Sequence, residues 1–156
     1  DVCLIPAEVK VRWHAAMLMG EFKQEILRIN NKVNMEVFKQ GVLTQRVDVM
    51  HNRAVIVARN RRVSLLSLPY EMDKVSTEVM DRTLINIFKQ RFIQLMQEEL
   101  GVTVIAHLKD YDPALEISAS VTFFNRQVDE LLPELKAPER QPGKLNHDGQ
   151  AQNSQP

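Results

Sequence analysis

The sequence predicts an α+β domain of two layers, built as two helix–β-hairpin units in the order α-β-β-α-β-β, with a short C-terminal helix and a disordered tail. Three observations carry this expectation. Apolar residues recur at three- and four-residue steps in two long stretches, which is the signature of helix. After each stretch, at Gly41 and at Gly101, the apolar period changes to two. Each period-two region is split by a polar turn into a strand pair, and hairpins beneath helices make a two-layer domain.

The first helix is expected over residues 7–40. Leu18, Phe22, Ile26, Ile29, Val33 and Val37 form one apolar stripe, and charged or amide residues fill the other sides. Pro6 suits the entrance of the helix and Gly41 its C-terminal cap. Gly20 interrupts the pattern, so the stretch before it reads as a separate short helix or an arm. In the first hairpin, Val47 and Val49 alternate with Arg46, Asp48 and Met50. The turn is His51-Asn52-Arg53, and Ala54-Val55-Ile56-Val57-Ala58 is the more buried strand. Arg59 to Arg62 closes it, and residues 64–73, with Pro69, read as a loop.

The second helix is capped by Ser76 or Thr77, with Glu78 favourable at its positive start, and ends at Gly101. Its stripe is Met80, Leu84, Ile87 or Phe88, Phe92, Leu95, Met96 and Leu100. In the second hairpin, Val102, Val104, Ala106 and Leu108 alternate with Thr103, Ile105 and His107. Asp110 to Pro113 is the turn. Leu115, Ile117, Ala119, Val121 and Phe123 are then expected on the core side, leaving Ser118, Ser120, Thr122 and Phe124 on a polar side. A short helix follows from about Gln127 to Leu135. The domain thus covers residues 7–135. Residues 136–156, rich in Pro, Gln, Asn and Gly, bury too little apolar surface to offset their ordering entropy.

Composition excludes several function classes. Twenty basic residues balance twenty acidic ones, against the positive excess usual in a nucleic-acid binder. The lone Cys3 forms no internal disulfide and no metal-ligand spacing, which fits a cytoplasmic location. The longest apolar run, residues 15–19, is far below the ~20 residues that span a bilayer, so no membrane insertion is expected.

Catalytic patterns are lacking. His14, His51, His107 and His147 lie in four different elements, without the i,i+4 pairing of a helical metal site. Glu98 and Glu99 point in different directions on their helix, and Asp110 and Asp112 suit a turn. Nothing near Cys3 in sequence would activate it as a nucleophile. The expectation is a non-enzyme with no cofactor and no metal.

Two features remain as binding candidates. Arg46, Arg53, Arg59, Arg61 and Arg62 concentrate positive charge on the first hairpin, where they could hold phosphate, bicarbonate or carboxylates. The same arginines would also solvate a sheet edge and deter aggregation. An RNA-binding module is a weaker alternative, because the hairpin has no aromatic platform for bases. The second feature is an apolar surplus on the second helix, at Leu84, Phe88, Phe92 and Met96, which predicts a homodimer.

The stretch "RVDVMHNRAVIVARNRRV", the helix carrying Arg82 and ending at Gly101, Val104, Asp110, and Val121-Thr122-Phe123 together resemble the MpsC-like family of bacterial domains. The likeness runs from Glu21 to Phe124. Gly41-Val42 stands where the family often has Gly-Pro, and Ser64 to Ser67 where it has a Leu-Thr…Glu stretch. The resemblance implies a soluble accessory or regulatory component beside the membrane subunits of an ion- or bicarbonate-transport system. It implies no reaction. The functional expectation is therefore action by protein–protein interaction, with a small-anion or nucleotide sensor as the alternative.

Overall fold

A computed structural model describes residues 16–61 and 74–138. The elements run α1 (Met19–Phe38), β1 (Thr44–Met50), β2 (Arg53–Arg59), α2 (Lys74–Leu100), β3 (Val104–Asp112), β4 (Ile117–Phe124) and α3 (Val128–Leu131). This is the expected α+β order. The strands form one antiparallel sheet, ordered β1-β2-β4-β3, so each hairpin stays whole and β2 joins β4 at the centre. The parts of the first helix before residue 16, Arg62, the 64–73 loop and the tail from residue 139 lie outside the described residues.

α1 begins where Gly20 marked an interruption. Residues 16–18 are not helical, and Ala16 bridges to Lys136. The Glu21 carboxylate accepts the Leu18 N–H at 2.8 Å, satisfying a donor that the helix start would otherwise orphan. At the other end the left-handed cap is Lys39, φ 59°, rather than Gly41. Gly41 is needed for a different reason. A Cβ there would lie 3.0 Å from Asn31 Oδ1, the atom that accepts the Val42 N–H at 3.0 Å. The glycine lets the chain close onto the helix before turning into β1.

α2 ends as expected. Gly101 takes φ +72°, and its N–H donates to Gln97 O at 3.1 Å. The first hairpin turns through His51 and Asn52, with His51 at φ 52°. The second turns after Asp112, whose Oδ1 accepts the N–H groups of Ala114 and Leu115 at 2.9 and 3.0 Å. Asp110 and Tyr111, expected in the turn, instead belong to β3. α3 is a single turn docked on the first hairpin through the Val128 N–H to His51 O bond of 2.8 Å.

Both long helices pack on one face of the sheet. Phe22, Ile26, Ile29 and Val33 of α1 and Phe88, Phe92, Leu95 and Met96 of α2 meet Val47, Ala54, Ile56 and Phe124 in one core. Phe22 meets Phe124 edge to face at 5.8 Å, and Phe88 and Phe92 stack in parallel at 5.9 Å. The helices are tied together across their outer side. Glu99 binds Arg28 and Lys32 at 2.6 and 2.7 Å, and Glu36 binds Arg91 at 2.6 Å. These contacts hold the carboxyls of Glu99 and Glu36 below the usual carboxylate range, chiefly through the hydrogen bonds from their basic partners.

The side of β4 that faces the helices corrects the sequence reading. Ser118, Ser120, Thr122 and Phe124 are the buried set, whereas Ile117 and Ala119 are exposed and Val121 and Phe123 only half-buried. Phe124 is core, not surface. The large rings from α1 and α2 fill the space above the sheet, so small hydroxyl residues fit beneath them at native packing density. β3 is inverted in the same way by a bulge. Val104 pairs with Phe124 and Ala106 with Phe123, leaving Ile105 as the extra residue. A bulge of one residue exchanges the faces beyond it. His107 consequently enters the core and Leu108 leaves it.

Candidate functional site

The inversion leaves the second face of the sheet with the apolar side chains and, among the described residues, without a helix. The pairing register arranges that face in four rows across β1, β2, β4 and β3. They are Met50–Arg53–Phe123–Ala106, Asp48–Val55–Val121–Leu108, Arg46–Val57–Ala119–Asp110 and Thr44–Arg59–Ile117–Asp112. Valines, alanines, Leu108, Ile117 and Phe123 make a continuous apolar field over the middle and one side. Val57 remains 47% exposed and Leu108 58%. Charge sits at the margins, with Arg46, Arg53 and Arg59 on the first hairpin and Asp110 and Asp112 on β3.

Three of the predicted binding arginines, Arg46, Arg53 and Arg59, therefore share this face. They do not converge as an anion clamp. Arg46 donates to Asp48 Oδ1 at 3.2 Å while remaining largely in solvent, and Arg53 and Arg59 stand in different rows. Arg61 lies beyond the end of β2, and Arg62 is outside the described residues. The residues matched to the family are dispersed. Arg82 is exposed on α2, Gly101 caps that helix, and Asp110 is exposed on β3.

The expected helical interface is corrected by burial. Phe88, Phe92 and Met96 are 0% exposed within the single chain, so they are core and present nothing to a partner. Leu84 is half-buried and lines a pocket instead. The exposed apolar side chains Val57, Leu108 and Ile117 belong to the sheet instead. The signal for this was present in Ile117, Ala119, Val121 and Phe123, which were assigned to the core.

The pocket beside Leu84 is a second feature that sequence reasoning missed. Phe38, Leu84 and Ile85 form apolar walls, and Arg61, Asp81, Lys109, Tyr111 and Ser118 bring polar groups to it. Lys109 Nζ sits 4.2 Å from the centre of the Phe88 ring, and burial lowers its pKa to about 8. Beneath it, His107 stacks on Phe92 at 4.4 Å, and its Nδ1 lies 2.9 Å from Thr122 Oγ1. Burial first, then the charges of Lys109 and Lys89, lowers the His107 pKa to about 3. His107 is thus neutral at physiological pH. Its Nε2 and the Ser120 hydroxyl are buried without a hydrogen-bond partner among the described residues.

An amide chain runs along the same end of the sheet. Gln45 Oε1 accepts from Asn30 Nδ2 at 2.9 Å, and Asn30 O accepts from Asn34 Nδ2 at 2.8 Å. Asn34 Oδ1 accepts from Asn60 Nδ2 at 2.6 Å, and Asn60 Oδ1 accepts from Ser118 Oγ at 3.2 Å. The chain links α1 to β1, the end of β2 and β4, with Asn30 Oδ1 the one member left buried without a partner among the described residues.

Among the described residues no group of three or more histidines, cysteines and carboxylates is placed to hold a metal ion, and no helix is long and apolar enough to cross a membrane. No family model, curated protein or solved structure matches the chain.

Proposed function

We propose that this protein is an accessory or regulatory component that acts by binding a protein partner on the open face of its sheet. The observation that carries the reading is the apolar field centred on Val55, Val57, Ala119 and Val121, bordered by arginines and aspartates. The largest apolar patch of a domain is often its functional surface, and an apolar centre with a charged rim is the anatomy of a protein interface. The proposed setting, beside the membrane subunits of an ion- or bicarbonate-transport system, rests on the family resemblance.

Affinity capture from extracts and detergent-solubilised membranes of the parent cell tests this reading. The intact chain is expected to retain specific proteins that Val57→Asp loses, while both proteins melt at similar temperatures. Identical captured sets would contradict it.

A second reading, a small-anion sensor, is favoured by the pocket holding Lys109 and Arg61 rather than by the hairpin arginines as a group. A half-buried ammonium with no carboxylate paired to it among the described residues gains from a bound anion. Phosphate, bicarbonate or a nucleotide should then raise the melting temperature of the intact chain but not of Lys109→Met. No shift with any of them would remove the sensor reading.

A further inference from the structure

We infer that the partner on the open sheet face is a second copy of this chain, packed face to face about a two-fold axis running along the strands. The inference rests on the reading that this face binds protein, and it commits to the occupant.

The argument starts from self-complementarity, which a two-fold interface requires because one patch must meet itself. A two-fold axis parallel to the strands lays β1 over the second copy's β3 and β2 over its β4, row on row. Val57 then meets Ala119 and Val55 meets Val121, so the apolar centre closes on itself. Arg46 meets Asp110 in its own row, and Arg59 falls beside Asp112. Arg53 meets the ring of Phe123, a cation–π pairing. Only Asp48, opposite Leu108, lacks a match, and it already accepts a hydrogen bond from Arg46 within its own chain.

The other simple arrangement, an axis across the strands, keeps each strand over its own copy. It makes two Arg46–Asp48 pairs, but these are offset because it sets Arg53 against Arg59 twice and leaves Asp110 and Asp112 over Leu108 and Ala106. Charge therefore selects the first arrangement. Aligned packing of two sheets is also a recurrent geometry, with strands within about 30° of each other and about 10 Å between layers.

Extent sets the expected strength. Four strands at ~4.8 Å and seven positions at ~3.4 Å give a patch of roughly 450 Å² per copy. Twice that, about 900 Å², is below the ~1,200–2,000 Å² of stable specific interfaces and in the range of weak ones, so the dimer should be reversible and depend on concentration. Within one chain Arg46 and Asp110 stand three strands apart, ~14 Å, too far to pair with each other.

That separation makes a mixing experiment decisive. Sedimentation velocity of the purified full chain from ~1 µM to ~1 mM should show a monomer–dimer equilibrium. Arg46→Asp alone and Asp110→Arg alone should each weaken it by ~10-fold or more, since each sets like charges face to face twice. An equimolar mixture of the two variants should recover the dimer, because every contact becomes opposite in sign. Val57→Asp should abolish it, with melting temperature confirming that each variant is folded. A purified chain that stays monomeric throughout overturns the inference while leaving the capture result for a different protein to stand. A dimer insensitive to all three substitutions, or single variants that weaken without recovery on mixing, also overturns it.

Discussion

The two faces of the sheet divide the side chains against first intuition. Beneath the helices lie Ser118, Ser120, Thr122, His107 and Lys109, together with Ala54, Ile56 and Phe124, whereas Val57, Val121, Leu108 and Phe123 face outward. The covered face tolerates polarity because the apolar bulk comes from above, from Phe22, Phe88 and Phe92. Small residues below large rings leave no void. Among the described residues the open face has no such supplier, and its side chains offer the apolar area themselves. What the difference teaches is that polarity along a strand does not by itself identify the solvent side. The partner layer decides how much bulk the strand must bring.

The contrast can be broken most forcefully by truncation. Phe92→Ala should lower unfolding free energy by ~3–5 kcal/mol, through lost transfer energy and a cavity between Phe88 and His107. Val57→Ala on the open face should cost under ~1 kcal/mol, since half the side chain is already in water. Equal losses in urea unfolding would mean that the two faces are equally covered.

Acidification should strike the covered face through His107. The native pKa of His107, about 3, lies below the unfolded value of about 6.5, so the unfolded chain binds the extra proton in that window. Stability from the neutral ring is therefore complete above pH 6.5 and falls progressively toward pH 3, by a few (~2–4) kcal/mol. His107→Leu should flatten this part of the pH profile, and an unchanged slope in the variant would show that His107 is solvated.

Lys109 sharpens the comparison with a smaller effect of the opposite kind. Its native pKa of about 8 lies below the ordinary 10.5, so the folded protein binds fewer protons between those values and gains stability as pH rises through them. At neutral pH the buried ammonium is a cost, and Lys109→Met should raise stability by ~1–2 kcal/mol while removing the alkaline gain. Destabilisation by this substitution would mean that the Phe88 contact outweighs desolvation.

Much of the architecture was legible from local pattern. The stripe from Phe22 to Val33, the change of period at Gly41, the Gly101 cap and the Asp112-Pro113 turn all correspond to features that depend on neighbours in sequence. What was illegible depends on distant partners. Alternation in β4 shows that Ile117, Ala119, Val121 and Phe123 share one face, but it carries no sign for which face meets a helix. The bulge at Ile105 has no glycine or proline to announce it, so His107 and Leu108 exchanged sides unseen. The interface assignment failed for a related reason. Phe88, Phe92 and Met96 exceed what a sheet lined with apolar residues would need, yet they match a sheet lined with serine and threonine. Arg46, Arg53 and Arg59 share one face of the first hairpin, and their place at the margin of the apolar field emerged only when β4 and β3 completed the rows.

Hydroxyl-radical footprinting read by mass spectrometry tests the central claim most directly, because it reports side-chain exposure on both faces at once. In dilute protein Met50, Leu108 and Phe123 should label readily while Met96, Phe88 and Phe92 stay protected. Raising the protein concentration should then protect Met50, Leu108 and Phe123 and leave the rates at Leu84 and Met35 unchanged. Labelling of Phe88 and Met96 in the dilute chain, or an open face whose labelling ignores concentration and added partner, would contradict the account.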